Sequence, residues 1–221
     1  MENNFKNQKS IYFSLLIAIG CFWGFTEFLI GTALKEQIPN NAIGSILIGL
    51  SFFFLAVSIL LRKKLIDVII PLGICIILKL VGTILIGKSI FNSSIVNPIV
   101  ALILEAGIFV LLYLIFFNKG NISLSKKMLI GAAAGLLVSF LFPLLQHATQ
   151  LPICIKAGTT TPLSIYYAPI SIVIGAIALP AGIYLNKSLK NFVHSRQLIP
   201  ISLGLNLFSI VLVILSFLIT N

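Results

Sequence analysis

Seven apolar segments of about 20 residues divide this chain, and they constrain its fold more than any other feature. A helix rises about 1.5 Å per residue, so each segment can cross a hydrocarbon core of about 30 Å. The segments cover Ile11–Leu34, Ala42–Leu61, Leu65–Gly87, Ile95–Phe117, Met128–Ala148, Ser164–Leu185 and Pro200–Thr220. They predict an all-α, polytopic transmembrane helical bundle with about seven spans (six being the alternative), as a single transmembrane domain over residues 1–221.

Composition supports a membrane location. Of 221 residues, 59% are hydrophobic and 9% are charged. A soluble domain of this length could not cover its surface with so few charged side chains. The net charge of +10 does not indicate nucleic acid, because the basic residues stand in short runs between apolar segments, whereas a phosphate-binding groove needs a continuous basic face. We therefore expect contact with a lipid bilayer and no nucleic-acid partner.

The basic residues alternate between the two sides of the predicted bundle. With the N-terminus inside, the inner set is Lys6, Lys9, Arg62, Lys63, Lys64, Lys119, Lys126, Lys127, Lys187, Lys190 and Arg196, and the outer set is Lys35, Lys88 and Lys156. Positive charge concentrates on the cytoplasmic side of membrane proteins. The pattern thus predicts a multi-pass protein of the cell membrane with a cytoplasmic N-terminus, and seven spans would place Asn221 outside.

Three charged side chains lie deep within the apolar segments, several residues from either end: Glu27, Lys79 and Glu105. Helical rise places Glu27 about 24 Å and Lys79 about 20 Å from the inner boundary, and Glu105 about 14 Å from the outer one. A lone charge at the centre of a membrane helix costs about 2.5–3.5 kcal/mol, so such groups pair, line a wet cavity or bind a ligand. We expect segments 1, 3 and 4 to adjoin and Lys79 to pair with Glu105, Glu27 or both. One Lys–Glu ion pair would be enough to fix the packing of the helices, and it would leave the second glutamate unpaired. The additional carboxylate therefore favours a polar binding site that opens to the outer face.

Further polar residues lie towards the same outer side. Asn97 precedes Pro98, which is typical of a helix start, so capping is its favoured role and site formation the alternative. Gln146 and His147 lie near the outer end of segment 5, where they either shape the mouth of a site or belong to a solvated helix end. The long loop Thr149–Ser164 either covers a site or is simply flexible.

Trp23, Glu27 and Gly31 follow at intervals of four and share one helix face. One reading makes Trp23 a wall that stacks on a solute, Glu27 its anchor and Gly31 an opening. In the other, Trp23 packs against a neighbour, Glu27 neutralises Lys79 and Gly31 lets helices touch. The full set of predicted substrate-binding residues is Trp23, Glu27, Lys79, Asn97, Glu105, Gln146 and His147.

Small residues predict close helix contacts. Gly131 and Gly135 stand four residues apart in segment 5, and the run Ala18–Gly24 gives segment 1 a similar smooth face. Small residues at this spacing let another helix approach closely. The partner is either a helix of this chain, which is the commoner case, or one of another protein.

Several chemistries find no support in the residues. The three cysteines are scattered, the two histidines lie on opposite predicted sides, and no nucleophile-elbow, phosphate-loop or ATPase motif occurs. We expect no metal site, no cofactor and no enzymatic activity, and ATP-driven transport would need a second chain to supply the nucleotide site. An intramembrane enzyme that acts on lipid through Glu27 and Glu105 remains an alternative.

A set of spaced residues resembles the substrate-binding (S) components of energy-coupling-factor (ECF) vitamin and metal transporters. It covers roughly residues 15–115 and consists of Trp23, Gly24, Glu27, Gly31, Leu34, Ile38, Pro39, Gly44, Lys79 and the run Asn97–Phe109. The resemblance implies capture of a small polar or cationic solute from outside, with a separate transmembrane coupling protein and cytoplasmic ATPases. The family has six spans with both ends inside and an alanine-spaced coupling motif in its first helix, and this chain departs from both. A self-sufficient proton-coupled carrier is the alternative within transport.

Overall fold

Long helices joined by short connections make up the chain, as the apolar segments predict. The computed structural model describes residues 2–33, 40–85, 91–117 and 122–194, together with Val211. The helices are α1 (Glu2–Phe28), α2 (Asn40–Arg62), α3 (Ile66–Leu85), α4 (Ser93–Phe116), α5 (Leu124–Ala148), α6 (Leu163–Tyr166) and α7 (Ala168–His194). A π-helical turn, Leu29–Ala33, continues α1.

Within the described residues, six helices are long and apolar enough to cross a membrane. They span Ser10–Gly31, Ile43–Arg62, Ile66–Ile84, Ile95–Phe116, Leu124–Ala148 and Ala168–Lys190. These match the first six predicted segments closely, and the chain is an all-α, multi-pass membrane protein. The predicted seventh segment, Pro200–Thr220, lies outside the described residues except for Val211, and so do Asn221 and the loop residues Lys35, Lys88, Lys119 and Arg196.

Helix α2 forms the centre of the bundle. It packs chiefly against α7 and also touches α1, α3, α4 and α5. Phe52, Leu55 and Ile59 on this helix are fully buried. Large apolar side chains on the outer faces of the surrounding helices are exposed, as lipid contact requires. The interior of the bundle is therefore built around α2, and polar groups that face it are removed from lipid.

Glycines bring α5 and α7 into backbone contact. A Cβ on Gly131 would collide with the carbonyl oxygen of Gly175, and one on Gly135 would collide with that of Ser171. The small-residue spacing of segment 5 thus serves packing within this chain, with α7 as the partner. This close approach fixes the wall that α5 and α7 contribute to the site.

A second close approach joins α1 to α3. Gly24 packs against the backbone of Cys75 and the side chain of Leu78. Helices α1 and α3 continue side by side beyond this contact. Glu27 and Lys79 therefore face each other about one turn further along the two helices. The smooth face of segment 1 therefore positions the intramembrane charges.

Candidate functional site

Lys79 and Glu27 form an ion pair between α3 and α1. Lys79 Nζ donates to Glu27 Oε2 over 2.8 Å. The side chain of Glu27 is 2% exposed and that of Lys79 is 14% exposed. The prediction that Lys79 pairs with an intramembrane glutamate is confirmed for Glu27. In the part of the chain that the structure describes, Glu105 belongs to no ion pair.

Glu105 is buried on α4 with one carboxyl oxygen unsatisfied. The residue is 3% exposed, and its Oε2 atom has no hydrogen-bond partner among the described residues. The hydroxyl of Ser51 lies beside this carboxyl but, within the same part of the chain, is not in hydrogen-bond geometry with it. A buried polar group without a partner is costly. The two carboxylates therefore differ: Glu27 is neutralised by Lys79, and Glu105 is left uncompensated.

A cavity of about 240 Å³ lies against both glutamates. Its walls come mainly from α2, α4 and α5, with Glu27 of α1 and Ser171 of α7 beside them. The residues before and within α6 close one end, which is called the outer end because the charge pattern of the sequence predicts that it faces outside. The polar lining includes Glu27, Ser45, Asn97, Glu105, Gln146 and Ser171. The apolar lining includes Leu47, Ile48, Ala101, Leu102, Val138 and Phe142. The cavity is thus a largely apolar chamber with a few polar groups, the usual composition of a small-molecule site.

Asn97 does not cap its helix, which corrects the role favoured from the sequence. Helix α4 begins at Ser93, and the first turn is closed by the backbone N–H groups of Ile95 and Val96, which donate to the carbonyl of Asn92. Because the helix starts one turn earlier than Pro98 indicates, Asn97 lies in the second turn. Its side chain instead faces the cavity, in agreement with the alternative role of site formation.

Asn97 and Gln146 hold the outer loop over the cavity. Asn97 Nδ2 and Gln146 Nε2 both donate to the carbonyl oxygen of Pro152, each over 3.1 Å. The backbone N–H of Leu151 donates to the carbonyl of Gln146 over 2.9 Å. Beyond this clamp, the loop places Cys154 in the cavity lining. The loop therefore covers the site, as one of its two sequence readings predicts.

Two serines connect α2 to α7 along the cavity wall. Ser171 Oγ donates to Ser45 Oγ over 3.0 Å, and Ser45 Oγ donates to the carbonyl of Tyr167 over 3.3 Å. Both hydroxyl hydrogens are engaged in these bonds. Sequence reasoning missed the two residues, because a serine in a membrane helix usually bonds to a carbonyl of its own helix and carries little information. Ser139 does so here, donating to the carbonyl of Gly135 over 2.9 Å.

The structure brings together four of the seven predicted site residues. Glu27, Asn97, Glu105 and Gln146 line the cavity. Lys79 is connected to it through Glu27. The remaining two, Trp23 and His147, are not part of the lining.

Trp23 and His147 occupy the positions given by their alternative readings. Trp23 is fully buried and stacks on Phe54, with ring centroids 5.9 Å apart and planes at 21°. It is therefore a packing residue of α1, and it does not form the wall of the cavity that one of its two sequence readings predicts. His147 is exposed near the outer end of α5, beside the buried Gln146. Consecutive helical positions point about 100° apart, which explains why only one of the two reaches the cavity.

The cavity has two distinct ends. Asn97 and Gln146 lie at the outer end, under the loop, and the glutamates lie deeper. Eight residues of α4 separate Asn97 from Glu105, which corresponds to about 12 Å of helical rise.

Comparisons with protein-family models, with curated proteins and with solved structures find no match to this chain. The resemblance to ECF transporter S components remains a prediction from the sequence.

Proposed function

We propose that this protein is the membrane-embedded solute-binding subunit of a multi-chain uptake transporter that captures a small polar or cationic solute from the outer face. The observation that carries the proposal is the cavity of about 240 Å³, which contacts two buried glutamates and lies under a clamped loop. Its volume is just below the range of about 300–1,000 Å³ that is usual for drug-sized ligands. The volume of the cavity therefore fits a solute of the size of a small metabolite.

The direction of capture follows from the distribution of basic residues. The positive-inside pattern places the N-terminus in the cytoplasm and the loop between α5 and α6 outside. The loop that covers the cavity then faces the medium from which a solute arrives. Release of the carbonyl of Pro152 by Asn97 and Gln146 would open the cavity to that side.

Energy for uptake would come from other chains. The sequence has no phosphate-binding loop, so ATP-driven transport requires separate cytoplasmic ATPases and a transmembrane coupling protein. This arrangement is the one that the resemblance to ECF transporter S components implies. The protein would then reside in the cell membrane as the component that determines substrate choice.

A ligand screen on the purified protein tests the proposal. Native mass spectrometry and thermal shift would be run against vitamins, amines, amino acids and metal ions. We expect at least one small compound to bind with one-to-one stoichiometry. Ala101→Phe, which fills the cavity from α4, should abolish that binding, whereas Ile103→Phe on the exposed face of the same helix should not. Equal binding by both variants would place the ligand elsewhere and reject the proposed site.

A self-sufficient proton-coupled carrier is the second candidate. Glu105 favours it, because a buried carboxyl group with no ion pair among the described residues can take up and release a proton. Uptake of the identified solute into cells separates the two functions. Depletion of ATP with the proton gradient intact should stop uptake by the multi-chain importer. Collapse of the proton gradient with ATP maintained should stop uptake by the carrier.

A further inference from the structure

The cavity wall presents hydrogen-bond acceptors that have no donor. Among the described residues, Glu27 Oε1, Glu105 Oε2 and Asn97 Oδ1 are buried atoms that find no hydrogen-bond partner, and all three residues line the cavity. A buried acceptor that stays unsatisfied is destabilising, and more so when it is charged. The cavity is thus missing donors, which an occupant would supply.

The buried side-chain donor groups that the described residues contribute to this wall each make a hydrogen bond within the protein already. The side-chain amides of Asn97 and Gln146 both donate to the carbonyl of Pro152. The hydroxyl of Ser171 donates to Ser45 Oγ, and the hydroxyl of Ser45 donates to the carbonyl of Tyr167. Ser164 and Tyr167 lie at the outer end and are only partly buried. A carboxylate or phosphate group on a solute would therefore find few donors in the deep part of the cavity.

The charge balance of the lining points in the same direction. Its ionisable side chains include the two glutamates, and no Lys, Arg or His is part of the lining formed by the described residues. Lys79 compensates Glu27 from behind the wall, over 2.8 Å. Glu105 has no such partner among the described residues, so their side chains leave one negative charge in the site uncompensated when both glutamates are ionised. A single positive charge in the cavity would balance it.

A bare metal ion is a poor match for this site. Divalent cations such as Ca²⁺ take six to eight oxygen ligands. In the described chain, no group of three or more His, Cys, Asp or Glu side chains is close enough together to hold a metal. The rest of the deep wall is apolar, with Leu102, Val138 and Phe142 among its side chains. These side chains fit the carbon skeleton of an organic molecule.

We infer that the occupant is a small organic monocation whose protonated nitrogen binds Glu105 while its apolar body lies along Leu102, Val138 and Phe142. This inference rests on the proposed function and specifies its substrate class. A second donor on the solute can reach Asn97 Oδ1, about 12 Å further out along α4. Glu105 is the anchor, and Glu27 is a secondary contact because Lys79 already occupies one of its oxygens.

Matched pairs of probes test the charge requirement on the wild-type protein. Butylamine, cyclohexylmethylamine and phenethylamine would each be compared with the corresponding alcohol by calorimetry and thermal shift. The members of each pair share shape and differ in charge. We expect each amine to bind at least tenfold more tightly than its alcohol, a difference of about 1.4 kcal/mol. Alcohols that bind as tightly as the amines, or an absence of binding by all three amines, would overturn the inference.

Two charge-removing variants assign the anchor. Glu105→Gln should reduce the preference for amine over alcohol to less than threefold. Asp67→Asn removes a buried carboxylate outside the cavity lining, and it should keep the full preference. Melting temperatures of all variants would be measured first. An amine preference that survives Glu105→Gln in a folded protein would show that the anchor is not Glu105.

The outcomes separate this inference from the function on which it rests. Suppose that none of the amines binds, that the ligand screen identifies a neutral or anionic compound, and that Ala101→Phe abolishes the binding of this compound. The solute-binding function then stands and the monocation inference is wrong. Suppose instead that amines bind through Glu105 and cells expressing the full transport system accumulate none of them. The monocation site then stands and the uptake function is wrong.

Discussion

Lys79 Nζ lies 2.8 Å from Glu27 Oε2, so the ammonium group on α3 is paired with the carboxylate on α1 and the carboxylate on α4 is not. This pairing explains how a glutamate can be accommodated in the first membrane helix. Glu27 compensates a charge that would otherwise cost about 2.5–3.5 kcal/mol near the bilayer centre. It also leaves Glu105 without an ion-pair partner in the described part of the chain.

Breaking the Lys79–Glu27 pair should destabilise the protein more than removing it. Lys79→Met leaves Glu27 unpaired and Glu27→Gln leaves Lys79 unpaired, so each single change should cost about 2.5–3.5 kcal/mol. The double variant should recover part of this loss, with a coupling energy of about 1–3 kcal/mol. Reversible unfolding in detergent measures all four proteins. Coupling between Lys79 and Glu105, measured in the same way, should be smaller, and strictly additive losses for Lys79 and Glu27 would refute the pairing.

Gly135→Ala should lower the stability of the bundle by about 1–3 kcal/mol, because the added methyl group collides with the backbone carbonyl of Ser171 and overpacks the α5–α7 contact. Gly107→Ala on α4 is the matched control. No atom of the described residues lies within 4 Å of a Cβ added there, so the change should be neutral or stabilise the helix by up to about 1 kcal/mol. Equal melting temperatures for the two variants would contradict the close approach of α5 and α7.

Loss of the amide clamp should free the outer loop. Asn97→Ala and Gln146→Ala each remove one hydrogen bond to Pro152, a loss of about 0.5–1.5 kcal/mol per bond. Trypsin cleavage after Lys156, followed by mass spectrometry, should accelerate in each variant and most in the double variant. His147→Ala changes an exposed neighbour and should leave the rate unchanged. Cleavage of the double variant at the wild-type rate would mean that the two amides do not hold the loop.

Thiol labelling should reveal the orientation of the bundle. Cys154 is exposed, whereas Cys21 and Cys75 are buried. An impermeant maleimide should therefore label intact cells at Cys154 and lose this signal in Cys154→Ser. In that background, Lys63→Cys and Lys127→Cys should react only after permeabilisation. A probe at Asn221 that reacts from outside supports seven spans, and one that reacts only from inside supports six.

The amino-acid sequence by itself determined the class of the fold and the depth of its charges. Apolar runs of this length must be helical in a bilayer, because lipid offers no hydrogen bonds to the backbone. Six spans consequently appear within a few residues of their predicted bounds. Helical rise also placed Glu27, Lys79 and Glu105 at similar depths, which predicted that Lys79 pairs with Glu105, Glu27 or both without deciding between them.

The tertiary structure decided which side chains face the cavity. In a membrane bundle both the lipid-facing and the core-facing positions are apolar, so the periodicity of the sequence does not show which way a helix is turned. Only packing placed Trp23 against Phe54 and set Asn97 and Gln146 on one carbonyl of the outer loop. The same packing paired Lys79 with Glu27 and left Glu105 beside the open cavity, because rotation about a helix axis is set by the neighbouring helices and not by depth.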